Sequence, residues 1–110
     1  MSPLFGKKIL SQALAEVLED GRATFNQEMQ RQKYRHYAGA EPVLDIAVRV
    51  QPENEMPFEA GMKAGISTAF LLLPGVRVLV EYDPGKKNQV RILDDSNAIL
   101  ARNPQLLKKD

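Results

Sequence analysis

His36 is the only histidine in the chain, and it stands in the run Arg31-Gln32-Lys33-Tyr34-Arg35-His36-Tyr37. An imidazole can bind a metal or move a proton near neutral pH. A metal needs further ligands, but there is no second histidine and no cysteine to supply them. Proton transfer in catalysis needs a nucleophile and an orienting carboxylate, which no spacing here places beside His36. The run has a different chemistry in Arg31, Lys33, Tyr34, Arg35, His36 and Tyr37 taken together. Bases stack on aromatic rings while cations meet phosphate, so such a loop suits single-stranded nucleic acid. Tyrosine and arginine are also favoured residues of protein interfaces.

The remaining polar motifs read as conformational devices. Asp83 precedes Pro84-Gly85, where an aspartate side chain caps backbone N–H groups of a turn. Asp94-Asp95, beside Ser96, fits helix capping better than a catalytic dyad. Gly85-Lys86-Lys87-Asn88 has a Gly-Lys pair but lacks the other glycine and the Ser/Thr of a phosphate-binding loop, and reads as a hairpin tip. A third reading, an enzyme, rests only on a small pocket with Glu59, Lys63 or Glu81, for which no reaction is defined. The reading is therefore of a non-enzyme with no metal and no cofactor.

Composition narrows the class further. At 110 residues the chain has room for a single core, and its 44% hydrophobic and 26% charged content is that of a globular protein. The 15 basic and 14 acidic residues leave a formal net charge of +1. A dedicated nucleic-acid binder has a basic excess, because phosphate neutralisation supplies its affinity. The missing cysteines suit a reducing compartment. Ser11, Gln12 and Glu16 interrupt Ile9–Leu18, so that segment does not read as a signal peptide. The apolar run Ala69–Leu73 falls far short of the roughly 20 residues of a membrane span. A cytoplasmic location without a membrane span is expected.

The elements that would position these residues follow from hydrophobic period. Ile9, Leu10, Ala13, Leu14, Val17 and Leu18 recur at spacings of three and four, which predicts an amphipathic helix over Lys7–Asp20 closed by Gly21 at C′. Glu19 and Asp20 would then lie at the negative end of its dipole, an unfavourable placement. From Arg22 the period becomes two, a weak strand with Ala23, Phe25, Gln27 and Met29 on one face, followed by a loop over Arg31–Ala40. Val43–Val50 alternates most clearly, with Leu44, Ile46, Val48 and Val50 on an aliphatic face. Pro57–Ser67 alternates again, and Thr68–Leu73 is a connector with room for one helical turn. Val76–Tyr82 and Val90–Ile92 are the last strands. Pro74-Gly75 fits a type II turn, and Asp83-Pro84-Gly85 is expected to repeat that chemistry. Asp95-Ser96 caps a short helix over Asn97–Arg102, which Asn103-Pro104 stops.

The organisation expected is an N-terminal helix over residues 1–21, a barrel over 22–95, and a short helix and tail over 96–110. The fold class is mainly β: a small five- to six-stranded antiparallel barrel, OB-like or SH3-like, with an N-terminal amphipathic helix. Closure of such a barrel removes exposed strand edges.

Gly21-Arg22-Ala23, Pro57-Phe58-Glu59-Ala60, Pro74-Gly75, Val78-Leu79-Val80-Glu81-Tyr82-Asp83-Pro84 and Val90-Arg91-Ile92 follow one another in a recognisable order. In this the chain resembles a family of small bacterial β-barrel domains of unknown function, some accompanied by SHOCT-type oligomerisation segments or a membrane anchor. The resemblance implies an accessory or scaffold role and transfers no functional residue. The function expected is a protein-binding or assembly module acting on a protein partner or a second copy. Contacts would come from Leu10, Leu14 and Val17 on the helix stripe and from Arg31, Lys33, Tyr34, Arg35, His36 and Tyr37. The alternative is a small barrel binding single-stranded nucleic acid through Arg31–Tyr37.

Overall fold

Strict alternation of aliphatic and polar side chains favours strands with one dry face, and Val43–Val50 and Val76–Tyr82 bury every second residue in that way. A computed structural model describes residues 9–32 and 43–107, with backbone alone at 31 and 32. In chain order the elements are β1 (Ser11–Val17), α1 (Gly21–Gln32), β2 (Val43–Gln51), β3 (Phe58–Gly65), α2 (Ile66–Ala69), β4 (Arg77–Asp83), β5 (Lys86–Ile92) and α3 (Ser96–Arg102). A 3-10 turn follows at Pro104–Leu107. The molecule is mainly β, and its five strands close into one barrel in the order β1-β2-β3-β5-β4.

Register places the aliphatic rows inside. The long hairpin β2–β3 runs from Val43 opposite Gly65 to Val50 opposite Phe58. β1 closes the barrel on β4, from Ser11 opposite Tyr82 to Glu16 opposite Arg77. β3 and β5 are the parallel pair, joined over Gly61–Lys63 and Gln89–Arg91. Ala15, Val17, Ile46, Val48, Val50, Met62, Val78 and Val80 are fully buried in the interior. Each large aliphatic side chain so buried stabilises the fold by roughly 1.5–3 kcal/mol. Leu72 beyond α2 and Ile99 on α3 belong to the same cluster.

The first 32 residues exchange the two structures expected of them. Ser11–Val17, inside the expected helix, is a strand, and Gly21–Gln32, inside the expected strand, is a helix. The barrel therefore begins before residue 22. The helical spacing misleads because two apolar rows overlap: Ala13, Ala15 and Val17 point inward, while Leu14 on the outer face is half-buried opposite Leu79. The dipole conflict resolves at the same time. Asp20 lies at the positive end of α1, where its carboxylate accepts from the Arg22 and Ala23 N–H groups at 2.9 and 3.2 Å. Gly21 is not a left-handed C′ residue. It is buried where a Cβ would stand 2.0 Å from the Ala69 carbonyl oxygen, and its N–H donates to Leu72 O at 2.7 Å.

Both turns form, by different means. Gly75 has φ +94° and Val76 N–H donates to Leu73 O at 3.0 Å, the expected type II geometry. Among the described residues no other glycine has positive φ. Asp83-Pro84-Gly85 does not repeat that geometry; the Asp83 carboxylate accepts from Gly85 N–H at 2.9 Å instead.

Candidate functional site

α1 is described as far as Gln32, so the basic-aromatic run begins within a helix. Arg31 belongs to that helix, whereas Lys33, Tyr34, Arg35, His36 and Tyr37 lie outside the described residues. The expected helix stripe is dispersed. Leu10 precedes β1 and is exposed, Leu14 is half-buried on the outer face of β1, and Val17 is fully buried in the barrel. Val17 is thus a core residue and offers no surface to a partner. The structure does not bring Leu10, Leu14 and Val17 together on one face.

Buried polar groups are where a closed apolar barrel would reveal chemistry, and here they fasten α3. The Asp94 carboxylate accepts from Leu79 N–H at 3.0 Å and from the Arg102 guanidinium at 2.9 and 3.1 Å. Burial opposes ionisation of Asp94, but the bonds from Arg102 and Leu79 and the attraction of the guanidinium outweigh it. The carboxyl is held below its ordinary range, the setting of a fixed ion pair and not of a proton donor. Asn103 accepts from Arg77 N–H at 2.8 Å and donates to Arg77 O at 2.7 Å and Ile99 O at 2.8 Å. Asp95 caps α3 through Ala98 N–H at 2.8 Å, as its position before Ser96 predicts. Among the described residues no buried side-chain polar atom lacks a hydrogen bond. Nor does any group of three or more His, Asp or Glu there have the placement of a metal site.

The outer surface is grooved and mixed in charge. β2 and β3 present Asp45, Arg49, Glu59 and Lys63 outward, all exposed, and Arg49 pairs with Glu59 at 3.4 Å. Gly61 lies between them, and the Asp45 and Gln89 side chains occupy the space a Cβ there would need, at 2.6 and 2.7 Å from it. Glu81 pairs with Arg91 at 2.5 Å in a second groove that also contains Lys63 and Asp83. Lys87 bonds Glu55 at 3.1 Å and lies over the Phe58 ring, so the Gly-Lys-Lys tip is tied to the neighbouring turn. A third groove runs beside the start of β1, between Ser11–Leu14 and the β2–β3 turn at Gln51–Glu55. Sequence patterning missed this groove because it misassigned β1.

Among the described residues no helix is long and apolar enough to cross a membrane. Comparison with protein-family models, with curated proteins and with solved structures finds no match.

Proposed function

We propose that this chain is a non-enzymatic protein-binding or assembly module built on an OB-like barrel. The strand order β1-β2-β3-β5-β4, with one parallel pair and a helix between β3 and β4, supports the OB-like description over an SH3-like one. Barrels of that type bind oligonucleotides on the face of strands two and three when aromatic rings and cations are displayed there. The observation that carries the protein-binding reading is the composition of that face. Asp45, Arg49, Glu59 and Lys63 balance in sign, and no aromatic ring stands among them. A protein partner tolerates such a mosaic, whereas among the described residues a single strand finds neither a stacking platform nor a positive track. The resemblance to small bacterial β-barrel domains of unknown function, which implies an accessory or scaffold role, supports the same reading.

Sedimentation of the purified chain, together with crosslinking and affinity capture, tests this. The expected result is a defined oligomer or a stoichiometric protein partner; a strict monomer with no retained protein overturns it. Titrating labelled single-stranded oligonucleotides at two salt concentrations tests the alternative through Arg31–Tyr37. Binding that weakens steeply with salt would support that alternative instead.

A further inference from the structure

β1 is paired unevenly. Its β4 side is bonded from Ser11 to Glu16, but its β2 side only from Leu14 opposite Gln51 to Val17 opposite Val48. In an antiparallel strand, successive residues turn their N–H and C=O groups to opposite neighbours. Val17 N–H donates to Val76 O and Val17 O accepts from Gly75 N–H, whereas Leu18 N–H donates to Ala47 O. Odd-numbered residues of β1 therefore face β4, and even-numbered ones face β2. Gln12 turns its backbone donor and acceptor toward β2 beyond the last β1–β2 pair, where the chain has left the sheet at Pro52. Among the described residues the result is a short free edge on the closed barrel.

That edge forms one wall of the groove beside β1, about 540 Å³ in volume. Ala13, Leu14 and Leu79 give the groove apolar surface, and among the described residues its only charged ones are Glu53 and Glu55. Lys87 neutralises Glu55, and Glu53 has no ion-pair partner among the described residues. We propose that the Leu10–Ala13 edge of β1 receives an extended, basic segment of a partner protein as an added strand. The segment bonds to the backbone of Gln12 and sets a cation against Glu53, as peptides do when they extend a sheet. A second copy is a poorer occupant, because pairing two such edges would bring Glu53 and Glu55 of both chains together. The inference rests on the protein-binding reading and assigns it a place and a partner chemistry.

The test is amide NMR on the whole chain, with a capped Lys-Val-Lys-Val-Lys-Val peptide as probe and a Glu-Val counterpart as control. Before addition, the Gln12 amide should exchange rapidly while Leu14 is protected. The lysine peptide should then shift Ser11–Leu14 and Gln51–Glu55 and slow Gln12 exchange by about tenfold or more, with the glutamate peptide far weaker. Gln12→Pro removes the donor at an edge position and should abolish the effect, whereas Gln12→Ala keeps the backbone and should retain it. A lysine peptide N-methylated at alternate backbone positions makes the same test with the barrel unaltered, and should not bind. A Gln12 amide already protected in the free protein overturns the proposal. So do shifts elsewhere, equal binding of both peptides, no binding, or insensitivity to Gln12→Pro and to N-methylation. If sedimentation or capture still finds a protein partner in that case, the edge is excluded while the broader reading stands.

Discussion

Asn103 uses its side-chain amide as a strand residue would use its backbone. It meets both the N–H and the C=O of Arg77, the end of β4 that β5 does not reach. Asn103→Leu should therefore orphan a donor and an acceptor at once. The expected loss is about 2 kcal/mol in urea denaturation, toward the lower end for two such groups because Arg77 lies near solvent. Asn103→Asp keeps the acceptor but sets a buried carboxylate oxygen against the Arg77 and Ile99 carbonyl oxygens, and should lose at least as much. Asp94 carries a pH signature. Its carboxyl is depressed in the fold, so its contribution is present above the ordinary aspartate value and is lost as pH falls below it. Asp94→Asn should cost about 1–2 kcal/mol at pH 7, discounted because the Arg102 side chain is partly exposed. That deficit should shrink toward zero as both proteins are titrated into acid; a constant gap in unfolding free energy would contradict the assignment. Asp95 was legible as a cap from its neighbours; Asp94, expected to cap alongside it, instead binds a strand amide and Arg102, and Asn103 was read only as a helix stop. Their partners Leu79 and Arg77 lie on another strand, and nothing local in the sequence announces them.

At the level of elements, the acidic pair Glu19-Asp20 was the clue that set the first two segments apart. Carboxylates that would weaken the end of one helix are favourable at the start of the next. Asp20→Ala should remove the cap of α1 and cost about 1 kcal/mol. Gly21→Ala should cost more than Asp20→Ala, because backbone at Ala69 occupies the space of the new methyl group. Chemical denaturation of the two variants side by side checks the order, and a neutral Gly21→Ala would show that α1 and α2 separate freely. β2 and β3 were legible because their inner and outer rows differ sharply in polarity, and β4 because Val76, Val78, Val80 and Tyr82 make a wholly large inner row despite Leu79 outside. β1 was not, since its inner row holds the small Ala13 and Ala15 while Leu14 is apolar on the outer face. α1 was hidden for the opposite reason: Phe25 and Met29 are its half-buried apolar anchors in an otherwise polar segment. Phe25 meets Phe70 edge to face at a centroid distance of 5.5 Å, a contact made with α2 and invisible to local period.

For the whole molecule, a single apolar cluster joins the barrel interior to α2 and α3. The candidate binding features lie outside it, on the β2–β3 face, the grooves and the open edge, which is why core patterning recovered the barrel and said little about contacts. Closure of β1 on β4 has a kinetic consequence. Ser11 lies opposite Tyr82, so the barrel is completed by joining distant parts of the chain, and the entropy of so large a loop is lost before any ladder rewards it. The β2–β3 hairpin closes a far shorter loop and is the natural nucleus. Ile46→Ala, costing about 2–5 kcal/mol, should then slow refolding in stopped-flow chevrons, while Val78→Ala at the closing seam should chiefly hasten unfolding. The reverse pattern would mean that the seam zips first. On the expected order, the chain passes through an unclosed sheet whose β1 edge is wholly unpaired, a brief window in which it is most exposed to misassociation.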